Sequence, residues 1–396
     1  MSEWQTFCLK DLGKIVGGAT PSTNNPKNYG NKIAWITPKD LSTLQGRYIK
    51  KGSRSISRLG FKSCSCVLLP KHAILFSSRA PIGYVAITKK RLCTNQGFKS
   101  IIPNKKIYFE FLYYLLKYHK DNISNIGGGT TFKEISGATL GLFKVKIPPT
   151  YYEQQKIART LSILDQKIEN NHKINELLHK ILELLYEQYF VRFDFLDENN
   201  KPYQTSGGKM KFSKELNRLI PSGWSVRFLN HKIVSTYQPK TISKTLLNDS
   251  YSYSVYGGGG IIGRFTEYNH EQSEFIISCR GQCGISYLTL PKSWITGNAM
   301  VIRPTKSYTS KTYLYHTIKK YKLTNYITGS VQPQITRQNL STMPILIPKR
   351  KTLNKWNNIS SLLWNLIHNN MQSTQTLTAL RDFLLPLLLK QQVKPK

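Results

Sequence analysis

The side chains best suited to chemistry in this sequence are hydroxyls, amides and basic groups placed in glycine-containing loops. Two loops carry most of them: GGGTTFKE, which begins at residue 127, and GSVQPQITR, which begins at residue 329. Their candidate contact residues are Thr130, Thr131, Lys133, Gln332, Gln334 and Arg337. Glutamine suits the edge of adenine and arginine suits the edge of guanine in the major groove. This chemistry predicts contacts with nucleic acid, although the sequence does not show which base each side chain meets.

Two arginines occupy similar positions in different parts of the chain. Arg79 and Arg280 each follow an apolar run, and each is followed four residues later by a glycine, Gly83 or Gly284. Because glycine permits close approach of the backbone, we predict a phosphate or guanine contact at each arginine. The plainer interpretation is a pair of surface arginines. Further candidates for nucleic-acid contact are Gln96, Tyr256, Gln282 and Asn298.

Patterns typical of catalysis or metal binding are missing from the sequence. The glycines at 257–260 lack the Lys-Ser/Thr of a phosphate-binding loop, and the IPPT at 147–150 lacks the acid or amide of an amino-methyltransferase motif. The six cysteines include two close-spaced pairs, but no histidine lies at ligand spacing from them. We therefore predict no catalytic residue, no metal site and no cofactor. The hypothesis that the chain is itself a methyltransferase or nuclease is not favoured.

The charge of the chain predicts a polyanionic partner. Lys and Arg number 57 against 21 Asp and Glu, which gives a net charge of +36 over 396 residues. A membrane surface is the less favoured partner, since no apolar run approaches the roughly 20 residues that span a bilayer. The first residues do not resemble a signal peptide, and scattered thiols fit a reducing compartment, so we expect a cytoplasmic protein.

Two long helices are predicted, at 150–190 and 351–390. The first has five basic and six acidic residues, so the excess positive charge lies elsewhere in the chain. Its apolar residues alternate in steps of four and three, which predicts a narrow seam that requires a partner helix. The predicted seam of the first helix is Ile157, Leu161, Leu164, Ile168, Leu178, Leu182 and Leu185. The predicted seam of the second helix is Ile359, Leu363, Leu366, Leu377, Leu380 and Leu384.

Polar residues interrupt both seams near their midpoints, with Asn171 and Asn175 in the first helix and Asn370 and Ser373 in the second. An antiparallel pair would place these interruptions opposite one another, so we predict an antiparallel coiled coil. At 1.5 Å per residue each helix would be roughly 60 Å long. The alternative is two independent surface helices. Pro386 is expected to end the second helix early.

The segments before the two helices repeat one another at a shift of 200 to 202 residues. ILFSSRAPIGYVAI at 74–87 matches FIISCRGQCGISYL at 275–288, and CTNQGFKSIIP at 93–103 matches ITGNAMVIRP at 295–304. The matched residues are apolar residues, glycines and prolines, whereas the side chains between them differ. The scaffold is therefore repeated and the exposed chemistry is not.

These patterns predict an α+β (mixed) fold with two repeated globular domains, each followed by a long helix. The predicted domains are 1–149 and 221–350, with the helices at 150–190 and 351–390 and a linker of little structure at 191–220. Trp224 is expected to open the second domain as Trp4 opens the first.

Five segments in register resemble one known family. They are WITPKDL from residue 35, FSSRAPIGYVAI from 76, GGGTTFKEIS with the later KIPP, EQQKIARTLSILDQKI from 153, and YSVYGGGGIIGRFTEY from 253. Together they resemble the DNA-specificity (S) subunit of type I restriction-modification systems over almost the whole chain.

The resemblance implies that each globular half is a target-recognition domain for one half of a split, asymmetric site in double-stranded DNA. It also implies that the helices form a ruler and dock two methyltransferase (M) subunits, which a restriction/translocase (R) subunit joins. S-adenosylmethionine, ATP and Mg²⁺ would then be used by those partners, and this chain would be a non-catalytic reader. The alternative that remains is a basic nucleic-acid-binding scaffold, for DNA or RNA, outside restriction-modification.

Overall fold

The computed structural model describes residues 3–128, 133–248, 251–281, 283–330 and 332–395. The chain forms two compact units. The first unit comprises Met1–Lys173 and Asn370–Lys396, and the second comprises Ile174–Asn369. Each unit therefore contains one globular domain and a part of both long helices, which differs from the predicted boundaries because the helices associate with both domains.

The described residues of the first unit form ten strands, five α-helices of its own and a part of each long helix. The strands are β1 (Gln5–Cys8), β2 (Gly13–Gly17), β3 (Tyr29–Ile36), β4 (Tyr48–Ile49), β5 (Arg54–Ile56), β6 (Ile74–Phe76), β7 (Val85–Thr88), β8 (Cys93–Thr94), β9 (Lys99–Pro103) and β10 (Lys144–Ile147). The helices are α1 (Leu9–Leu12), α2 (Pro38–Ser42), α3 (Arg58–Lys62), α4 (Phe109–Asn125), α5 (Gly137–Leu142) and the beginning of α6 (Tyr151–Tyr186). The main sheet has the order β2-β9-β6-β7-β4, beside a smaller sheet β5-β3-β8 and the pair β1-β10.

The core of the first unit lies between its main sheet and α4. Phe111, Leu112 and Leu115 of α4 are buried with Ile74 and Phe76 of β6 in one cluster. The cluster also includes leucines from both long helices. Fully burying one such side chain stabilises the fold by about 1.5–3 kcal/mol. The helices are thus part of the core of the domain and not separate attachments to it.

The second unit repeats this arrangement with additional strands. Its strands are β11 (Met210–Ser213), β12 (Arg218–Pro221), β13 (Ser225–Phe228), β14 (Val234–Tyr237), β15 (Tyr253–Gly257), β16 (Gly260–Phe265), β17 (Phe275–Ser278), β18 (Ser286–Leu288), β19 (Trp294–Ile295), β20 (Ala299–Pro304), β21 (Ile327–Thr328), β22 (Gln334–Ile335) and β23 (Pro344–Ile347). Its further helices are α7 (Lys311–Lys320), α8 (Arg337–Leu340) and α9 (Arg350–Leu389), of which α9 continues into the first unit.

The sheets of the two units have the same topology. The order β14-β20-β17-β18 corresponds to β2-β9-β6-β7, and β16-β15-β19 corresponds to β5-β3-β8. Individual hydrogen bonds recur as well: the amide of Ala73 donates to Thr88 Oγ1 at 2.9 Å, and the amide of Glu274 donates to Thr289 Oγ1 at 2.9 Å. The predicted α+β fold with an internal repeat is confirmed.

Within each unit, α6 and α9 contact one another in antiparallel directions. In the first unit Asn171 Nδ2 donates to the carbonyl oxygen of Asn370 at 3.4 Å and to Thr374 Oγ1 at 3.2 Å. In the second unit Asn175 Nδ2 donates to the carbonyl oxygen of Ile367 at 3.3 Å. The polar interruptions of the seams are thus used for hydrogen bonds between the helices.

The predicted seam holds for α6 but lies one residue away from the buried face of α9. All seven seam positions of α6 are buried or half-buried. In α9, however, Ile359, Leu366 and Leu380 are exposed, whereas Ser360 and Arg381 face inward. Partners distant in the sequence hold two polar residues of α9 inward: Ser360 Oγ lies 2.8 Å from Thr312 Oγ1, and Arg381 pairs with Asp165. The spacing of the leucines does not reveal these partners, so it predicted the wrong face.

Two smaller expectations were also wrong. Pro386 lies inside α9, which continues to Leu389, and the amide of Lys390 donates to the carbonyl oxygen of Pro386 at 2.9 Å. The segment 191–220 is structured, since it contains the strand β11 and the start of its hairpin with β12.

Candidate nucleic-acid interface

Three loops of the second unit meet at Cys279, directly after β17. The amide of Cys279 donates to the carbonyl oxygen of Asn298 at 3.0 Å, and its carbonyl oxygen accepts from the amide of Ile335 at 3.0 Å. The next residue, Arg280, forms an antiparallel bridge with Gln334. The backbone therefore brings together predicted contact residues that lie more than fifty positions apart in the sequence.

The side chains at this junction point to solvent and carry the chemistry that the sequence predicted. Exposed positions among the predicted contact residues of this unit are Arg280, Asn298, Gln332, Gln334 and Arg337. Among the described residues, no carboxylate lies within 4 Å of the Arg280 guanidinium, so its donors are available to a ligand. Guanidinium and amide groups on one surface can donate to phosphates and to base edges.

Glycines allow a fourth loop to pack against the same junction. A Cβ on Gly258 would lie 3.1 Å from the carbonyl oxygen of Arg280, so the turn between β15 and β16 approaches closely only without a side chain. Gly281 adopts a φ of 71°, a conformation that favours glycine. The glycine-rich stretch thus serves loop packing at the predicted site.

The first unit repeats the junction with different side chains. The amide of Ser78 donates to the carbonyl oxygen of Gly97 at 2.8 Å, and the amide of Ile135 donates to the carbonyl oxygen of Ser78 at 3.0 Å. Arg79 lies next, but here its guanidinium is 3.6 Å from a carboxylate oxygen of Glu134, where the second unit has Gln334. The same scaffold therefore presents a partly neutralised arginine in the first unit and, as far as the described residues show, an arginine without a carboxylate partner in the second.

The remaining predicted residues of the first unit occupy varied positions. Lys133 and Gln96 are exposed, and Gln96 accepts a hydrogen bond from the hydroxyl of Thr20. Gly83 has a φ of 101° and its amide donates to the carbonyl oxygen of Ser77 at 3.0 Å, so the turn itself explains the glycine. The predicted positions outside the described residues are Thr130, Thr131 and Gln282.

Tyr256 was predicted to contact nucleic acid, and its position corrects that prediction. Its side chain is 3% exposed and packs with Ile276 and Ile295, while its hydroxyl oxygen accepts from the amide of Leu290 at 3.0 Å. Burial raises its pKa to about 12. The residue lies on the inward face of β15, which the glycines around it concealed in the sequence.

Two residues at the junctions were not predicted. Glu134, which also lies 3.4 Å from Lys99 Nζ, could have been found because it occupies the position equivalent to Gln334. Gln238 Nε2 donates to Cys279 Sγ at 2.8 Å and so supports the loop that carries Arg280. Gln238 directly follows β14, about forty residues before Cys279, and its position in the sequence gave no signal. Burial raises the pKa of the Cys279 thiol, which keeps it a neutral packing group.

The described residues contain neither a metal-binding cluster nor a membrane-spanning helix. Within those ranges, no group of three or more His, Cys, Asp or Glu side chains is arranged to hold a metal ion. No helix among them is both long enough and apolar enough to cross a membrane.

The duplicated fold with unlike polar loops at equivalent junctions defines a class of protein with two different recognition surfaces on one scaffold. Comparison with known families agrees with this class. The family model for the type I restriction modification DNA specificity domain matches residues 1–180 and again 221–380. The chain therefore belongs to the family of type I restriction-modification DNA specificity proteins, and it is a DNA sequence-recognition subunit of such a system.

Individual relatives are consistent with this assignment. The MjaIX specificity subunit of Methanocaldococcus jannaschii is 32% identical over 423 aligned residues, which cover 98% of this chain and 92% of the relative. The HindI specificity subunit of Haemophilus influenzae is 31% identical over 191 residues, 46% of this chain and 40% of that one. The crystal structure of a type I S subunit from M. genitalium shares the fold, with a TM-score of 0.60 at 18% identity and coverage of 97% and 96%.

Proposed function

We propose that each recognition domain reads one half of a bipartite, asymmetric site in double-stranded DNA. The observation that carries this proposal is the pair of equivalent junctions with unlike side chains. Arg79 faces Glu134 in the first unit, and Arg280 lies beside Gln334 in the second. Two copies of one reader with identical side chains would suit a repeated half-site, whereas two unlike readers suit two different half-sites.

The long helices are proposed to form an antiparallel coiled coil that sets the unread spacer and docks two methyltransferase subunits. The hydrogen bonds of Asn171 and Asn175 to α9 support the pairing. Exposed apolar residues support the docking. In the second unit the exposed set consists of Ile174, Leu177, Ile181 and Leu184 on α6 with Ile359, Leu362 and Leu366 on α9. Their spacing of three, four and seven residues places each set on one helix face, as in a helix that packs against a partner.

The chain itself is proposed to be non-catalytic. Methylation with S-adenosylmethionine would belong to the methyltransferase subunits, and cleavage with ATP and Mg²⁺ would belong to a restriction/translocase subunit that joins the complex. The names of the relatives, all specificity subunits, support this division of labour. Family membership also disfavours the alternative of a basic scaffold outside restriction-modification.

The decisive experiment reads the methylated motif in cells that carry this chain with its methyltransferase subunits. Replacing Gln332, Gln334 and Arg337 together by alanine should relax or abolish one half-site and leave the other unchanged. Each lost bidentate contact is expected to reduce discrimination by about 1–3 kcal/mol. The matched control is Lys232→Ala, an exposed basic residue at the opposite end of β14 from Gln238 and the junction, which should leave the motif intact.

A second variant tests the ruler separately from the readers. Inserting seven residues after Lys173 and seven after Asn369 keeps the heptad seam and lengthens each helix by about 10 Å. The unread spacer should then grow by about three base-pair steps of 3.4 Å. If the loop substitutions changed the spacer, or the insertions changed a half-site, the proposal that the domains recognise DNA and the helices set the spacer would be wrong.

A further inference from the structure

The two units contain equivalent tryptophans with different surroundings. Trp4 precedes β1, whose first residue pairs with Ile147, and Trp224 precedes β13, whose first residue pairs with Ile347. Since the paired strands are equivalent in the repeat, the two tryptophans mark the same place in each unit, as the sequence predicted.

In the second unit this place is filled by aromatic residues of the chain that leaves α6. Phe193 meets Trp224 edge-on at 5.6 Å between ring centroids, and Phe195 stacks on Trp224 at 5.1 Å. Phe195 also stacks on Tyr203 at 4.8 Å. Trp224 is 1% exposed as a result. A Phe-Asp-Phe segment therefore completes the core beside this tryptophan, with Phe193 in the left-handed region at a φ of 60°.

In the first unit the same place is an open groove, here called the Trp4 groove. It has a volume of about 250 Å³ and is lined by Trp4, Pro148, Ile157, Leu388 and Val393. Within the described residues, the ring contact of Trp4 is to Phe111 alone, at 6.1 Å between centroids. The segment after α9 contributes the exposed Val393 to this place, whereas the segment after α6 contributes the two buried residues Phe193 and Phe195 to the equivalent place. Among the described residues of the first unit, no aromatic ring after α9 takes the place of Phe193 and Phe195.

Charge indicates what would complete the groove. In the second unit the aromatic segment continues into Asp197 and Glu198, which share a pocket with Lys349, Lys351 and Lys355. Lys355 Nζ also donates to the carbonyl oxygen of Leu196 at 3.3 Å, so one of these lysines binds the backbone of the acidic segment.

The Trp4 groove has lysines in its wall too, namely Lys156 and Lys394. The acidic residue of the wall, Glu153, accepts a hydrogen bond from the hydroxyl of Thr150 at 3.0 Å as part of the helix start. The groove therefore combines an apolar floor with basic groups at its rim, which suits phenylalanine rings flanked by carboxylates.

We propose that the Trp4 groove is a docking site for a Phe-x-Phe segment with adjacent carboxylates, supplied by a partner protein. A second copy of this chain is not the donor, because Phe193 and Phe195 are 2% and 7% exposed within their own unit. The proposal is independent of DNA recognition, since its ligand is a peptide and its residues lie outside the junctions that carry Arg79 and Arg280.

The test uses the full chain and a fluorescein-labelled peptide with the sequence of residues 191–199, VRFDFLDEN. Fluorescence anisotropy should show saturable binding, and a peptide with alanine at both phenylalanines should bind at least tenfold more weakly. A peptide with asparagine in place of each aspartate should bind a few-fold more weakly and should lose its dependence on salt.

Protein variants locate the site. Trp4→Ala and Lys156→Glu should each weaken binding about tenfold or more, while the matched Lys355→Glu variant of the second unit should bind like the parent. If Trp4→Ala does not fold, Lys156→Glu and Val393→Asp decide the question. Absence of saturable binding, equal binding of the alanine peptide, or loss of binding in Lys355→Glu alone would overturn the proposal.

Discussion

The two units differ most in the interior where α4 of the first unit, or α7 of the second, packs against the long helices. In the first unit the hydroxyl of Tyr114 donates to Asp165 Oδ2 at 2.6 Å, and Arg381 Nη1 donates to Asp165 Oδ1 at 2.7 Å. Burial opposes the charge of Arg381, but Asp165 outweighs it and raises the pKa of Arg381. This interior is therefore held by a buried ion pair with a third hydrogen-bonding partner.

In the second unit the same region contains neutral rings. His316 lies 5.3 Å from Trp356, and Trp364 lies 5.1 Å from His179 and 5.9 Å from His368, measured between centroids. Burial lowers the pKa of His316 to about 3 and that of His368 to about 4. The comparison teaches that one scaffold accepts a charged network or an aromatic cluster, provided that no charge is left unpaired inside it.

The largest effect is expected from breaking the ion pair of the first unit. Arg381→Ala leaves the buried Asp165 with the hydrogen bond from Tyr114 as its remaining side-chain hydrogen bond among the described residues. The loss of one partner of a buried pair costs about 3–5 kcal/mol. Urea unfolding of the full chain, followed by hydrogen exchange of peptides from each unit, should show the loss in the first unit. The exposed Leu380→Ala is the matched control on α9 and should change stability by less than about 0.5 kcal/mol.

A triple replacement gives a sharper test of the buried ion pair. Asp165→Leu combined with Arg381→Met and Tyr114→Phe removes the whole network without leaving an unpaired group. We expect it to recover most of the stability lost in Arg381→Ala, because apolar replacements of buried pairs are often neutral. A triple variant as unstable as the single one would show that the network is not what distinguishes the first unit.

A smaller effect is expected from acid on the second unit. An unfolded histidine binds a proton near pH 6.5, whereas His316 and His368 stay neutral in the fold until about pH 3 to 4. Stability is therefore fully present above about pH 6.5 and decreases as the pH falls below it, approaching about 1.4 kcal/mol per pH unit for each histidine. The charged or titratable neighbours are Lys319, Lys320 and His179 for His316, and Lys311 and His179 for His368.

Hydrogen exchange at pH values between 7 and 5, corrected for intrinsic rates, should show the second unit opening more readily than the first as the pH falls. His316→Phe should reduce this dependence, while the exposed His231→Gln should leave it unchanged. If the opening of both units depended on pH to the same extent, the contrast between the ion pair of the first unit and the neutral rings of the second would be wrong.

The smallest effect is expected at the recognition loops. Glu134→Gln removes the carboxylate that faces Arg79, and Gln334→Glu places one beside Arg280. Glu134 is half-buried, with 38% of its side chain exposed, and Gln334 is exposed. Each exchange should therefore change the free energy of DNA binding by at most about 1 kcal/mol. Binding of a duplex at two salt concentrations should become tighter in the first variant and weaker in the second. Changes of the same sign in both would show that the two junctions are not equivalent.

Much of the architecture could be predicted because it depends on local periodicity and on repetition. The heptad spacing of α6 predicted its buried face, and the shift of about 200 residues predicted two equivalent domains, since apolar residues, glycines and prolines recur where the backbone recurs. The side chains of Arg280 and Gln334 predicted that their loops contact nucleic acid, and the structure brings the two loops together. Whether they contact DNA stays a prediction.

The sequence by itself thus determined the family, the repeat, the long helices and the polar character of the loops. Only the tertiary structure decided which polar residues face inward, because that depends on partners distant in the chain. Arg381 is buried because Asp165 lies opposite it, and Tyr256 is buried because Leu290 satisfies its hydroxyl. The tertiary structure also decided that the place beside Trp4 is an open groove whereas the place beside Trp224 is filled. The sequence around each tryptophan does not show which residues cover its ring.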